Sequence, residues 1–149
     1  SVIDPGTTSL YIQLGANFIV SPILNKEMAY VCNRRKVLWS PGCGTLSEIS
    51  EAESLGAEIV KIFPGTAVGG PGFIKGIKGP SPWTSIMPTG GVSPEKDNLK
   101  AWFEAGASVV GMGSKLITKD IISSKNYNLL TDKVKNTLEL IKEIKSKIE

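Results

Sequence analysis

Histidine is absent from all 149 residues. Its absence excludes imidazole general bases, Ser-His and Cys-His nucleophile systems and histidine-ligated metals, leaving Lys, Asp, Glu, Tyr, Cys or water to move protons. Cysteine is nearly as scarce: only Cys32 and Cys43 occur. Their spacing makes neither a disulfide framework nor a metal-binding pattern, and free thiols fit a reducing, cytoplasmic compartment. No apolar run approaches the roughly 20 residues of a membrane span. The chain opens on no basic segment followed by an apolar stretch, so no signal peptide is expected. Charge of one sign is also missing, since 17 Lys and Arg against 14 Asp and Glu leave a net charge of +3. The lysines that crowd the last turns are interleaved with Glu139, Glu143 and Glu149. That mixture describes a solvated helix face and argues against nucleic acid as a partner.

What is present suits a single globular domain over residues 1–149, with 41% hydrophobic residues. One motif recurs. Gly15-Ala16 precedes Asn17-Phe18-Ile19-Val20, Gly56-Ala57 precedes Glu58-Ile59-Val60-Lys61, and Gly106-Ala107 precedes Ser108-Val109-Val110-Gly111. Each is a glycine just past a helix end, followed by a short β-branched run entering a buried strand. Lys36–Ser40 and Thr84–Met87 add two more strands, so five recur at about the length of a βα unit. The intervening helices carry start signals: Asp4-Pro5, the capping box Thr45-Leu46-Ser47-Glu48, and Ser93-Pro94-Glu95. A last amphipathic helix, about 129 to 148, aligns Leu130, Val134, Leu138, Ile141 and Ile144. Trp83 and Trp102 are expected to pack in a loop and a helix.

A (βα)8 barrel needs roughly 200 residues or more. Ser1-Val2-Ile3 reads as the tail of a strand, and five parallel strands alone would leave two raw edges. The expectation is therefore an α/β fold, a (βα)8 TIM barrel of which this chain supplies roughly strands four to eight plus the C-terminal helix, incomplete at its N-terminus. An open five-stranded sheet is the alternative.

In parallel α/β folds the carboxyl ends of the strands carry the site. Lys61 stands there among Ile59, Val60, Ile62 and Phe63. Burial disfavours its charged form, and a neutral amine attacks carbonyls; a lysine snorkelling to solvent is the alternative. Gly90-Gly91 and Gly113-Ser114 end the last two strands. Glycines let backbone approach an anion, and a helix beginning beyond Gly113 would aim N–H groups at it; plain turns are the alternative. Thr89, after Pro88, would bring a hydroxyl near Lys61, or serve only a turn. Glu48 and Asp4 are read as caps rather than catalysts, and Cys43 as an inert turn residue.

Taken together, Val60-Lys61-Ile62-Phe63-Pro64-Gly65, Met87-Pro88-Thr89-Gly90-Gly91-Val92-Ser93-Pro94 and Gly111-Met112-Gly113-Ser114 resemble the 2-keto-3-deoxy-6-phosphogluconate aldolase family, whose members often also act on 4-hydroxy-2-oxoglutarate. Phe18–Pro22 and Pro41–Glu48 resemble its fourth and fifth strand ends. The resemblance implies a trimeric (βα)8 barrel and a class I aldolase with Lys61 as the Schiff-base lysine and no metal or organic cofactor. Phe63 would stand beside the lysine. Pro88, Thr89 and Ser1, the last in place of a strand-three threonine, would contact the pyruvate moiety. Gly90, Gly91, Gly113 and Ser114 would hold the phosphate of a 2-keto acid phosphate substrate. The family's acid/base glutamate and carboxylate-binding arginine, on and beside strand two, have no counterpart in these residues. Two other readings accompany this one: a phosphate-binding barrel isomerase or synthase, and a catalytically impaired fragment.

Overall fold

A computed structural model describes residues 1–148. Glu149, read above as part of the charged helix face, lies outside the described residues. The first three helices begin where the chain offers side-chain acceptors. Asp4 caps α1 (Pro5–Gln13) by accepting from the Thr7 N–H, and Asn25 caps α2 (Lys26–Arg35). Thr45 caps α3 (Leu46–Ser54).

The recurring Gly-Ala pairs are Schellman stops. Gly15, Gly56 and Gly106 take φ of 98°, 89° and 103°. The following alanines donate back across the last turn, Ala57 to the Ala52 carbonyl at 3.0 Å and Ala107 to Trp102 at 3.1 Å. Lys36 occupies the same place after α2 without being glycine, at φ 57°. Its expected strand role is therefore wrong: the backbone must turn left-handed there before the strand can start.

Five short strands follow the helices: β1 (Phe18–Val20), β2 (Leu38–Ser40), β3 (Gly42–Cys43), β4 (Val60–Ile62) and β5 (Ile86–Pro88). β2 and β3 are one run parted at Pro41, which has no N–H to donate. β2 pairs with β1 in parallel, Val20 opposite Ser40. β3 pairs with β4, Gly42 opposite Lys61, and β4 with β5, Lys61 opposite Met87. The Pro41 carbonyl still accepts from Lys61 N–H at 2.9 Å, joining the two ladders into one arc. The strand expected at 108–111 shrinks to a bridge between Thr89 and Gly111. Ser108 and Val109 both donate to the Ile86 carbonyl, at 2.9 and 3.3 Å. With no ladder on its far side among the described residues, this run lacks the second row of bonds that would straighten it. Thr84 and Ser85 likewise precede β5 instead of belonging to it.

The remaining helices are α4 (Gly70–Lys78), α5 (Lys96–Glu104), α6 (Lys119–Ser124) and α7 (Tyr127–Lys145). α5 starts later than its Ser93-Pro94 signal, with Glu95 at the cap position and no side-chain cap. The Asn98 side-chain Oδ1 accepts the Ser93 N–H at 2.9 Å and so holds that segment as a turn. On α7, Leu138 faces solvent, and Thr137 takes the inward place between Val134 and Ile141. Its hydroxyl donates to the Lys133 carbonyl at 2.7 Å, which makes a buried threonine acceptable. Trp102 is buried, as a helix packing residue should be, whereas Trp83 in its loop is largely exposed.

Pleating sorts the strand side chains. Ile19, Trp39, Cys43, Val60, Ile62 and Ile86 are buried against the helices and form the core with Met28, Ile49, Ile74, Leu99 and Trp102. Phe18, Val20, Leu38, Ser40, Lys61, Met87 and Thr89 alternate with them onto the concave face of the arc. Phe18 and Leu38 are exposed there.

Candidate functional site

The sequence places one basic side chain on the concave face, and the ladder fixes its depth. Lys61 is the middle residue of β4 and is only 5% exposed. Burial holds its pKa below the ordinary lysine value. Among the described residues no carboxylate lies within ion-pair distance of it. Its Nζ sits 4.5 Å from the centroid of the Phe63 ring, which stands on the same face. A lysine so placed has desolvation against its charge and only a π face in its favour.

Thr89 follows β5 and donates its N–H to the Ile62 carbonyl at 3.0 Å, so it flanks Phe63 one step nearer the mouth than Lys61. Its hydroxyl oxygen is buried with no partner. A Cβ at Gly111 would collide with that hydroxyl, so glycine on the neighbouring run is what admits it. Pro88 is buried at the end of β5 and turns toward the helix side.

The two glycine loops differ. Gly90 and Gly91 take φ of 93° and 80°. The Gly90 carbonyl accepts from Thr66 N–H at 3.2 Å, and the Gly91 carbonyl from the Asn98 amide at 3.0 Å. Among the described residues their own N–H groups have no recorded partner, which leaves donors for an anion. Gly113 and Ser114 are exposed and open a turn, with the Gly113 carbonyl accepting from Leu116 and Ile117, both at 2.9 Å. The helix expected there begins only at Lys119, behind Thr118 as its cap. Any anion held at this loop therefore meets turn amides, not a helix N-terminus.

Ser1 is exposed ahead of α1, outside any ladder. The lead-in touches the rim of the arc through Asn25, whose amide reaches the Ile3 carbonyl at 3.5 Å. Glu48 accepts from Gly44 N–H and Thr45 hydroxyl, each at 2.9 Å. The Gly44 bond chiefly lowers its pKa. The carboxylate thus reaches one residue beyond the capping-box position but remains a cap. Cys43 is buried, and desolvation pushes its thiol up to about 12, as befits an inert residue.

Two contacts went unread in the sequence. Thr66 fills the space a side chain at Gly91 would need, and the Pro22 backbone lies where a Cβ at Gly42 would go. Neither has a signal beyond the glycine itself, because both are contacts between separate loops.

A parallel βα arc with one desolvated lysine on its concave face, below glycine loops with free amides, defines a lysine-centred (βα)-barrel fold. The family model for KDPG and KHG aldolases matches residues 1–133. This chain belongs to that family. It is 32% identical over 128 residues to the 2-dehydro-3-deoxy-phosphogluconate aldolase of Haemophilus influenzae, covering 86% of this chain and 59% of that protein. It is 34% identical over 117 residues to the 2-dehydro-3-deoxy-6-phosphogalactonate aldolase of Escherichia coli, covering 78% of this chain and 56% of that one. The KDPG aldolase of Legionella pneumophila, solved with pyruvate captured as a covalent carbinolamine intermediate, superposes with a TM-score of 0.80 at 30% identity, covering 89% of this chain and 63% of that one. The chain thus spans about three-fifths of the length of these curated relatives. Its strands are the corresponding part of a TIM-barrel-like fold and do not close a barrel by themselves. Among the described residues no helix is long and apolar enough to cross a membrane.

Proposed function

We propose that the protein is a class I aldolase that cleaves 2-keto-3-deoxy-6-phosphogluconate to pyruvate and glyceraldehyde 3-phosphate, and also accepts 4-hydroxy-2-oxoglutarate. The observation that carries this reading is Lys61: a lysine 5% exposed, with its pKa lowered by burial and no carboxylate within ion-pair distance among the described residues. Its lone pair attacks the substrate's C2 ketone, and loss of water gives the iminium. Deprotonation of the C4 hydroxyl lets the C3–C4 electron pair move toward the iminium as that bond breaks. The aldehyde leaves, the enamine is protonated at C3, and hydrolysis frees pyruvate and the amine.

In this reading Phe63 and Thr89 flank the pyruvate moiety, with Pro88 shaping the strand end behind them and Ser1 at the rim. The amides of Gly90, Gly91, Gly113 and Ser114 receive the phosphate. This reading needs an acid/base carboxylate, a role that none of these residues fills. Residues 1–149 belong to a single barrel domain, which they do not complete, of a cytoplasmic homotrimer, and the free thiols of Cys32 and Cys43 support the compartment.

Incubating the full-length protein with pyruvate and borohydride tests the proposal. A carboxyethyl adduct on Lys61, found by peptide mass spectrometry and lost in Lys61→Ala, is the expected result. No adduct, or one that persists in Lys61→Ala, overturns it.

A further inference from the structure

Ser40 is fully buried, and its hydroxyl oxygen has no hydrogen-bond partner. Buried hydroxyls are ordinarily paired, so an orphan needs a reason. Its neighbours give no structural one. Across the β1 ladder it faces Val20, and by continuation of the β3–β4 register it faces Ile59. An apolar residue would fit that layer with no unpaired group.

The same register shows what lies nearby. Gly42 is opposite Lys61, so Ser40 stands on the neighbouring strand, on the same concave face, one pleat step deeper than the lysine. Two residues along a strand and one strand spacing across amount to about 8 Å between Cα atoms, a gap a lysine stem covers. Gly42 contributes no side chain between them, because the Pro22 backbone occupies its Cβ position. Lys61 is itself without a recorded hydrogen-bond partner among the described residues, although its stem is buried. Two polar groups with unused capacity thus share the concave face of adjacent strands, one pleat step apart in register. Thr89, also unpaired, lies on the opposite, outward side of the lysine.

We infer that Ser40 is a positioning residue for the amine: its hydroxyl oxygen accepts from a water that in turn accepts an N–H of Lys61, and so turns the lone pair toward the mouth where the ketone arrives. This rests on the aldolase reading for its purpose but not for its geometry. A hydroxyl acceptor favours the ammonium form modestly against the desolvation that opposes it. Ser40 therefore sets both the direction of the lone pair and the pH at which it becomes free.

The test compares wild type, Ser40→Ala and Ser40→Thr in the full-length protein with two readouts on Lys61. One is the pH profile of pyruvate trapping by borohydride; the other is the pH profile of Lys61 acetylation by acetic anhydride, which needs no aldolase chemistry. In Ser40→Ala the acid limb of both profiles is expected to move down by about half a pH unit or more. Trapping on the alkaline plateau should fall several-fold, through kcat and not KM, and Ser40→Thr, which keeps the hydroxyl, should restore the wild-type limb. Unchanged limbs in Ser40→Ala, with the stability gain expected from deleting an idle buried hydroxyl, overturn the inference and leave the aldolase reading intact. If wild type is acetylated at Lys61 yet never traps pyruvate, the aldolase reading fails, and the acetylation profiles still decide the role of Ser40. If Ser40→Thr misfolds, the Ser40→Ala limb alone decides.

Discussion

The Lys61 amine lies over the face of the Phe63 ring, 4.5 Å from its centroid. The ring's negative face favours a cation, while burial of the stem disfavours one. The iminium of the proposed reaction carries its positive charge on the same nitrogen, so the ring favours that intermediate over the neutral amine that precedes it. Phe63→Leu keeps the apolar volume and removes the π face. It is expected to slow borohydride trapping about 3- to 10-fold, equivalent to roughly 0.5–1.5 kcal/mol. Single-turnover trapping kinetics measure it, and an unaltered rate would show that the ring only fills space.

Lys61 also gives folding stability a pH dependence of predictable sign. Its folded pKa lies below the ordinary 10.5. Between that lowered value and 10.5 the unfolded chain binds the extra proton, so stability rises with pH across this window. Below the window both states are protonated and the penalty of burying the charge is constant. Lys61→Met should therefore raise Tm at neutral pH and flatten this alkaline rise. Thermal unfolding of both proteins over a pH series checks it, and a lower Tm for Lys61→Met at neutral pH would contradict it.

Glu48 behaves in the opposite sense. The Gly44 N–H and then the Thr45 side chain hold its carboxylate pKa below 4.5. Its stabilisation is present above 4.5 and is lost as the pH falls through the lowered folded value. Glu48→Ala is expected to destabilise by about 1 kcal/mol at neutral pH, the usual worth of a cap interaction. The gap between mutant and wild type in urea titrations should close in acid. A gap that persists there would mean that Glu48 acts through packing.

Two glycines are sites of contact more than of flexibility. A Cβ at Gly42 would overlap the Pro22 carbonyl, a backbone group that cannot rotate away. Gly42→Ala should destabilise by about 1–3 kcal/mol and, by displacing the segment beside Lys61, weaken trapping as well. At Gly91 the obstacle is the Thr66 side chain, and φ of 80° adds backbone strain. Gly91→Ala should also destabilise, with partial rescue by Thr66→Gly. Chemical denaturation of the two single variants and the double variant separates the clash from the strain, because only the clash is relieved.

The sequence alone determined the parts of this protein that depend on neighbouring residues. Helix stops at Gly15, Gly56 and Gly106 need only a residue that tolerates positive φ, and caps at Asp4 and Thr45 need only a side-chain acceptor within one turn. The parallel class followed from the repeat of such units, and Lys61 was legible because a cation inside an apolar strand contradicts its surroundings. Elements whose form depends on distant partners were read less well. Lys36 reads as strand because its left-handed stop lacks glycine, and Ser93 reads as a cap although the Asn98 side chain holds it in a turn. The run at 108–111 stays a single bridge because a strand needs ladders, and ladders come from other segments. The tertiary structure alone decided that Gly42 makes room for Pro22, Gly91 for Thr66 and Gly111 for the Thr89 hydroxyl. It also put the orphan hydroxyl of Ser40 one pleat step beneath the lysine. Register across a parallel sheet is set by how whole βα units pack, and no local run of residues encodes it.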